Sequence, residues 1–231
     1  MQRSIRIILG LLIASGSIAA LSSAQDSGAS RPPEKPSAPV PAPAVPSVTD
    51  QSLTLPAEPS AGEWQLDFEA GDLRLYIDPQ TAEAFWYFTY RVVNRTGLDR
   101  WWGPKFELLD DHGRLRRSGK DIPVTTIKRI EALIGNKLLE DQYQVLGEIR
   151  QGEAHAKESF VVWNAQPLDA TELHLFIRGM SSEIRKIPHP SGTGAPILMH
   201  KTMKRDYRVP GNPSANGSTP VVCEQTEWLL R

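Results

Sequence analysis

Residues 85–93 read Phe85-Trp86-Tyr87-Phe88-Thr89-Tyr90-Arg91-Val92-Val93, a run dominated by aromatic and β-branched side chains. Such side chains fit a pleated, half-buried surface, so the run predicts a β-strand. Period-two alternation places four of them on the face expected to line the core: Trp86, Phe88, Tyr90 and Val92. The opposite face then carries Phe85, Tyr87, Thr89 and Arg91, and Asn94-Arg95-Thr96-Gly97 ends the strand with turn-forming residues.

Shorter runs of the same kind flank this strand. They cover residues 66–68, 73–77, 105–109, 143–149, 159–163, 173–178, 197–209 and 225–230. One interval has helical spacing instead, with Asp121 as the expected N-cap, Pro123 in the first turn, apolar residues at Ile127, Ile130, Leu133 and Ile134, and Gly135-Asn136 at the end. Eight or nine short strands with one short inserted helix predict an all-β fold, an antiparallel two-sheet sandwich.

The N-terminus has the pattern of a secretory signal peptide at residues 1–24. Arg3 and Arg6 precede an apolar stretch at 7–21, and Ser22-Ser23-Ala24 supplies the small residues of a cleavage site. Because the stretch falls short of the ~20 residues that span a bilayer, we expect no transmembrane helix in the mature chain. The predicted location is the periplasm, the cell surface or the medium.

Residues 25–62 predict a disordered, Pro-rich linker. The segment holds nine prolines among Ala, Ser and Val, a composition that cannot bury enough apolar surface to fold. Such a linker acts either as a semi-rigid spacer or only as a solubilising segment. The predicted globular domain is therefore residues 63–231.

Charge and cysteine content exclude several classes of function. The formal net charge is −1, and signal cleavage removes two basic residues and no acidic ones, giving −3. No whole-molecule field then favours nucleic acid. A single cysteine, Cys223, excludes an intrachain disulfide framework and a cysteine-rich zinc site. We expect Cys223 to be a small buried hydrophobe at the start of a strand, with an intermolecular disulfide as the alternative.

Chemical motifs are incomplete, so we predict no catalytic residue, metal site or cofactor. The five histidines lack the paired spacing of metal ligands. Gly179-Met180-Ser181-Ser182-Glu183 lacks the second glycine of a serine-hydrolase elbow and predicts a turn. The basic stretch at 200–208 puts Lys201 and Arg205 on one strand face and Lys204 and Arg208 on the other, which favours edge protection over a polyanion site.

The doublet Trp101-Trp102, before Gly103-Pro104, is the main candidate for binding. Adjacent residues of a strand point to opposite sides, so only one indole enters the core easily. The other is either covered by the helix or exposed for recognition. In the second case Trp101 and Trp102, with Phe85, Tyr87, Arg91 and Arg100, form a contact surface suited to a protein or glycan.

Several segments together resemble a bacterial immunoglobulin-like extracellular domain. They are Arg91-Val92-Val93-Asn94-Arg95-Thr96, Pro104-Lys105-Phe106-Glu107-Leu108-Leu109-Asp110-Asp111-His112-Gly113, and the later runs at 147–153, 160–163 and 170–173. The resemblance covers about residues 84–179 and departs at the helix and at the strands after residue 197. It implies an immunoglobulin-like sandwich and a role in binding or envelope maintenance.

The sequence thus predicts an exported, non-catalytic envelope protein whose domain binds an unidentified envelope protein or glycan. A hydrolase with a composite site across the sandwich loops is the alternative from another class. Converging polar side chains in a cleft would favour the hydrolase, and a filled sandwich with surface aromatics would favour the binding module.

Overall fold

The computed structural model describes residues 54–55 and 57–231, which form thirteen strands and one α-helix. The predicted signal peptide and most of the predicted linker lie outside these residues. The strands are β1 (Thr54–Leu55), β2 (Asp67–Ile77), β3 (Ala84–Val93), β4 (Arg100–Trp102), β5 (Lys105–Asp110), β6 (Leu115–Arg117), β7 (Leu139–Asp141), β8 (Gly147–Ile149), β9 (Lys157–Asn164), β10 (Glu172–Arg178), β11 (Ile184–Ile187), β12 (Ile197–Arg208) and β13 (Val222–Leu230). The helix α1 covers Val124–Ile134, and short 3-10 turns cover Glu153–His155 and Pro213–Asn216.

The strands form three sheets, so the fold is mostly β, as predicted. A seven-stranded sheet has the order β1-β13-β12-β10-β5-β6, with β11 also paired to β12. A four-stranded sheet has the order β2-β3-β9-β7, and β4 and β8 form a separate two-stranded ribbon. The pairs are antiparallel except for β7, which runs parallel to β9.

The main core lies between the two larger sheets. Trp86, Phe88, Tyr90 and Val92 are all buried there, which confirms the predicted core face of β3. Residues from the seven-stranded sheet meet them, namely Phe106, Leu108, Leu173, Leu175 and Ile177. Tyr90 and Phe106 approach within 4.8 Å between ring centroids. Aromatic contacts of this kind link the two sheets at the centre of the domain.

The opposite face of β3 is also buried, because α1 packs on it. Phe85 and Tyr87 form a second apolar cluster with Ile127, Ile130, Phe160 and Val162. The central strands β3 and β9 are therefore covered on both faces. This double burial explains why residues 85–93 are almost continuously apolar, a pattern found in strands covered on both sides.

The N-cap of the helix lies two residues later than predicted. Asp121 has a positive φ of 58° and lies outside the helix. The N-cap is Pro123, which provides no side-chain cap hydrogen bond. At the other end Gly135 adopts the left-handed conformation, with a φ of 68°, and its N–H donates to the Glu131 carbonyl. The predicted end of the helix is confirmed, since glycine takes this conformation without steric cost.

Several strand boundaries differ from prediction. The runs at 66–68 and 73–77 are read as separate in sequence, but residues 67–77 form the single strand β2, whose register shifts between Ala70 and Leu73. Gly71 is required at this irregularity, because a Cβ there would lie 2.2 Å from the Thr89 Oγ1. The run at 143–149 is extended only at Gly147–Ile149. Six strands have two to four residues, too few to give an alternating pattern, so the strand number exceeds the eight or nine predicted.

The folded domain begins before residue 63, the predicted boundary. Thr54 and Leu55 pair with Leu229 and Trp228 of β13. The Lys201 ammonium then donates to the Glu58 carbonyl over 2.8 Å. Thr54, Leu55 and Glu58 thus contact the sandwich where the sequence predicts a linker. A buried cation on β12 satisfies a backbone carbonyl of this segment. Within the described part of the chain, no helix has the length and apolarity needed to cross a bilayer.

Candidate functional site

The six residues predicted to form a contact surface do not lie together on the surface. Phe85 and Tyr87 are buried beneath α1, and Trp102 lies in the main core with no exposed surface. Trp101 is the exception, since 76% of its surface is exposed. The prediction of a shared patch is corrected in this respect, because the helix covers the outer face of β3.

Trp101 projects from the two-stranded ribbon of β4 and β8. Arg100, Trp101 and Trp102 pair with Ile149, Glu148 and Gly147, respectively. Because side chains alternate along a strand, Trp102 turns inward and Trp101 outward. The Trp102 ring meets Tyr90 edge-on, with 6.4 Å between ring centroids. One indole therefore anchors the ribbon in the core while its neighbour is presented to solvent.

Buried Asn94 fixes the loop that leads into β4. Its Nδ2 donates to the carbonyls of Leu98 over 2.9 Å and Ile149 over 2.8 Å. Its Oδ1 accepts from the N–H of Thr96 over 3.1 Å and from the Thr96 hydroxyl over 2.9 Å. A fully buried amide that uses both of its polar atoms gives a single loop conformation. The Asn-x-Thr pattern at 94–96 is thus a structural clamp between the loop and β8.

Gln151 holds the loop from the other side. Its Oε1 accepts from the Gly97 N–H over 3.0 Å, and its Nε2 donates to the Leu98 carbonyl. The backbone N–H of Gln151 in turn donates to Asp99 over 3.0 Å. Gly97 has a φ of 88°, which a residue with a Cβ rarely adopts. The loop and the ribbon are therefore ordered before any partner binds.

The two arginines predicted for the site are engaged within the domain. Arg91 pairs with Glu69 over 2.9 Å and also with Glu153. The hydrogen bond that Arg91 donates to Glu153 raises the pKa of Arg91 above its ordinary value. Arg100 donates to the Thr96 hydroxyl over 2.8 Å and lies 4.8 Å from the centroid of the Trp64 ring. Both guanidinium groups therefore make structural contacts within the domain, and the sequence alone does not predict these contacts.

The surface around Trp101 is mixed in character. Leu98 and Leu146, in the segments next to β4 and β8, are 65% and 46% exposed. Glu148 lies opposite Trp101 and pairs with Arg150 over 3.6 Å. An exposed indole with neighbouring apolar and charged groups can stack on a planar or sugar ring and exclude water from hydrogen bonds at its edge.

A cluster at the β5–β6 turn has the donor types of a cation site. The ligand atoms of Asp110, Asp111 and His112 lie within 4.8 Å of one another. Asp110 already accepts from Arg114 over 2.6 Å and from Arg116 over 2.7 Å. The hydroxyl and N–H of Thr171 lower the pKa of Asp111 to about 2. These carboxylates serve the turn and its contact with the segment before β10, so the residues do not fit a metal.

The remaining candidates for chemistry also have structural partners. Ser181 accepts from the Glu183 N–H over 3.1 Å, and Ser182 accepts from the Trp64 N–H over 3.0 Å. These bonds fit the predicted turn after β10. His174 lies between two buried leucines of β10 and its Nδ1 is 2.6 Å from Asp206 Oδ1. Cys223, near the start of β13, is half-buried against the main core.

Comparisons with known protein families, with characterised proteins and with solved structures each find no match for this chain.

Proposed function

We propose that this chain is an exported, non-catalytic envelope protein whose β-sandwich is a binding module, with the Trp101 ribbon as its contact surface. The observation that carries the proposal is the 76% exposure of Trp101 on a ribbon whose next residue, Trp102, is fully buried. Exposing an indole forgoes the burial that would stabilise the domain. Tryptophan is enriched among the residues that dominate binding energy at interfaces.

Preorganisation supports the same proposal. The Asn94 and Gln151 hydrogen bonds hold the ribbon in one conformation. A partner that binds Trp101 therefore meets a surface whose ordering entropy is already lost, which favours affinity. The chemistry around the indole suits an envelope protein or a glycan, as the sequence predicts.

We also propose that the sandwich is of the immunoglobulin-like kind. The segments that carry the resemblance form a clamped turn at Asn94 and the β5–β6 pair at Leu108 and Arg116. The parallel strand β7, the helix and the strands after residue 197 are the departures. Export by the predicted signal peptide belongs to the same proposal and rests on the sequence of residues 1–24.

The alternative hydrolase would need a base and a nucleophile that converge on the loops. Two histidines of the described residues lie beside a carboxylate: His174 is 2.6 Å from Asp206 within the β10–β12 ladder, and His112 is 3.0 Å from Asp111 in the β5–β6 turn. Asp111 also accepts from the Thr171 hydroxyl. Asp206 also accepts from Lys204 over 2.9 Å, so it is part of an ion-pair network. These observations favour the binding module.

The experiment is co-sedimentation of the full-length exported protein with an isolated envelope fraction. Trp101→Ala should weaken retention, whereas Leu138→Ala, which alters an equally exposed apolar side chain after the helix, should not. Protease treatment of the envelope fraction separates a protein partner from a glycan. Equal retention of both variants and the wild type would overturn the proposal.

A further inference from the structure

A basic cleft lies on the outer face of the seven-stranded sheet, and its lining includes Pro104, two residues after β4. It has a volume of about 590 Å³, within the range of small-molecule sites. Four cationic side chains line it, against the single carboxylate side chain of Glu107: Lys105, Arg117, Arg178 and Arg231. Ser118 and Phe176 also line the cleft.

The register of β5 and β10 brings two of these cations face to face. Lys105 is the Cα partner of Arg178, so both side chains project from the outer face at the same level. Like charges directly opposite each other on a sheet are destabilising. Gly179, next to Arg178, permits a close approach of the two chain segments, because a Cβ there would lie 3.2 Å from the Gly103 carbonyl and the Pro104 Cα.

Glu107 neutralises the other two cations rather than this pair. It accepts from Arg231 and lies 3.6 Å from Arg117. The Arg231 guanidinium also stacks 4.2 Å from the Phe176 ring centroid. Among the described residues, neither Lys105 nor Arg178 has a carboxylate within salt-bridge distance. Two adjacent cations therefore face the cleft without a counter-charge from the domain.

The positive charge of this pair affects the pKa of a neighbouring histidine. His200 lies on β12, two residues before Thr202, which pairs with Arg178. Burial, followed by the charges of Arg178 and Lys105, lowers the pKa of His200 below its ordinary value. The positive field of the cleft thus reaches β12.

Two other cations of this sheet have carboxylate partners. Lys204 pairs with Asp206 over 2.9 Å and with Glu227 over 3.1 Å, and Arg208 pairs with Glu224 over 2.7 Å. The basic stretch that the sequence draws attention to is therefore not the cationic site.

We propose that this cleft binds a small multivalent oxyanion, with phosphate or polycarboxylate chemistry, between Lys105 and Arg178. The Arg178 guanidinium can donate two parallel hydrogen bonds to such an anion. The Lys105 ammonium adds a second positive charge on a flexible side chain. Binding supplies the missing counter-charge and relieves the repulsion between the two cations. This proposal does not depend on the function proposed for the Trp101 ribbon.

The test is titration of the full-length protein with inorganic phosphate, pyrophosphate and citrate, by calorimetry and by NMR of the His200 ring. We expect saturable binding of at least one probe, a rise in the His200 pKa on binding, and weakening by added salt. Lys105→Gln and Arg178→Gln should each weaken binding by roughly 10-fold, as expected for loss of a charge-assisted hydrogen bond. Lys137→Gln, in the exposed turn after α1, should leave binding unchanged.

Charge reversal separates this site from a purely structural feature. Lys105→Glu should abolish binding and raise the thermal midpoint, because it converts a repulsive pair into an attractive one. The proposal is overturned if none of the three probes saturates, if the His200 pKa does not move, or if only a polymeric anion such as dextran sulfate binds. Binding that is unaffected by the Lys105 and Arg178 variants would also overturn it.

Discussion

Trp101 and Trp102 are neighbours in the chain with opposite environments: 76% of Trp101 is exposed, and Trp102 is completely buried. The alternation of strand β4 sets this contrast, and the core contact of Trp102 with Tyr90 fixes it. The two residues therefore allow stability and binding to be separated by substitutions at adjacent positions.

Trp102→Ala should destabilise the domain by about 3–5 kcal/mol, because it removes a large buried side chain and leaves a cavity. Trp101→Ala should change the free energy of unfolding by no more than ~0.5 kcal/mol, as surface substitutions usually do. Denaturant melts of the two variants measure both values. Comparable large losses for both would place the Trp101 ring in the core.

Asn94→Ala should cost about 1–3 kcal/mol, because the buried Ile149 carbonyl loses its side-chain donor and the Leu98 carbonyl loses one of its donors. Asn94→Asp should be at least as damaging, since a carboxylate cannot donate to these carbonyls. Hydrogen exchange should become faster at Gly97 and along β4 while it stays slow in β9. Unchanged exchange at these positions would mean that the clamp does not order the loop.

Acid should weaken the contact between Asp111 and Thr171. The Asp111 pKa falls from 3.8 to about 2 in the folded state, so this carboxylate binds fewer protons in the folded than in the unfolded chain near pH 3. Its contribution to stability is present above pH ~4 and is lost as the pH falls toward 2. The stability difference between wild type and Asp111→Asn should therefore shrink across that window. A difference that stays constant from pH 5 to pH 2 would contradict the assignment, and Thr171→Val should give the same trend.

Limited proteolysis of the full chain should yield a fragment that begins before Thr54, not at residue 63. Lys201 binds the Glu58 carbonyl and pairs with Glu183, and β1 pairs with β13. Lys201→Met should release this segment, so that cleavage moves toward Glu63, and should destabilise the domain by leaving Glu183 without one of its partners. Mass spectrometry of the stable fragment reads the boundary. A wild-type fragment that starts at residue 63 would remove β1 from the domain.

Local patterns predict much of this fold. The alternation in residues 85–93 gives the correct core face of β3, and Gly135 gives the end of the helix. Both faces of this strand are apolar, so its own pattern does not show which element covers Phe85 and Tyr87. In the structure that element is α1. Very short strands such as β7 are formed by tertiary pairing and have no signal of their own.

The candidate sites are only partly visible in sequence for the same reason. The doublet at 101–102 predicts that one indole enters the core, and the structure selects Trp102. The pairing of Lys105 with Arg178 depends on the register of two strands that are distant in the chain. The basic stretch of β12 is visible in the sequence, but the carboxylate partners of Lys204 and Arg208 are not.

The most direct test of the account is the affinity of full-length wild type and Trp101→Ala for the isolated envelope fraction, with Leu138→Ala as the matched exposed control. We predict that Trp101→Ala binds the envelope fraction roughly 10-fold or more weakly than wild type, as expected when a dominant interface side chain is lost. The unfolding midpoint of Trp101→Ala and the affinity of Leu138→Ala should stay at the wild-type values. If Trp101→Ala instead bound with wild-type affinity, the ribbon would not be the contact surface.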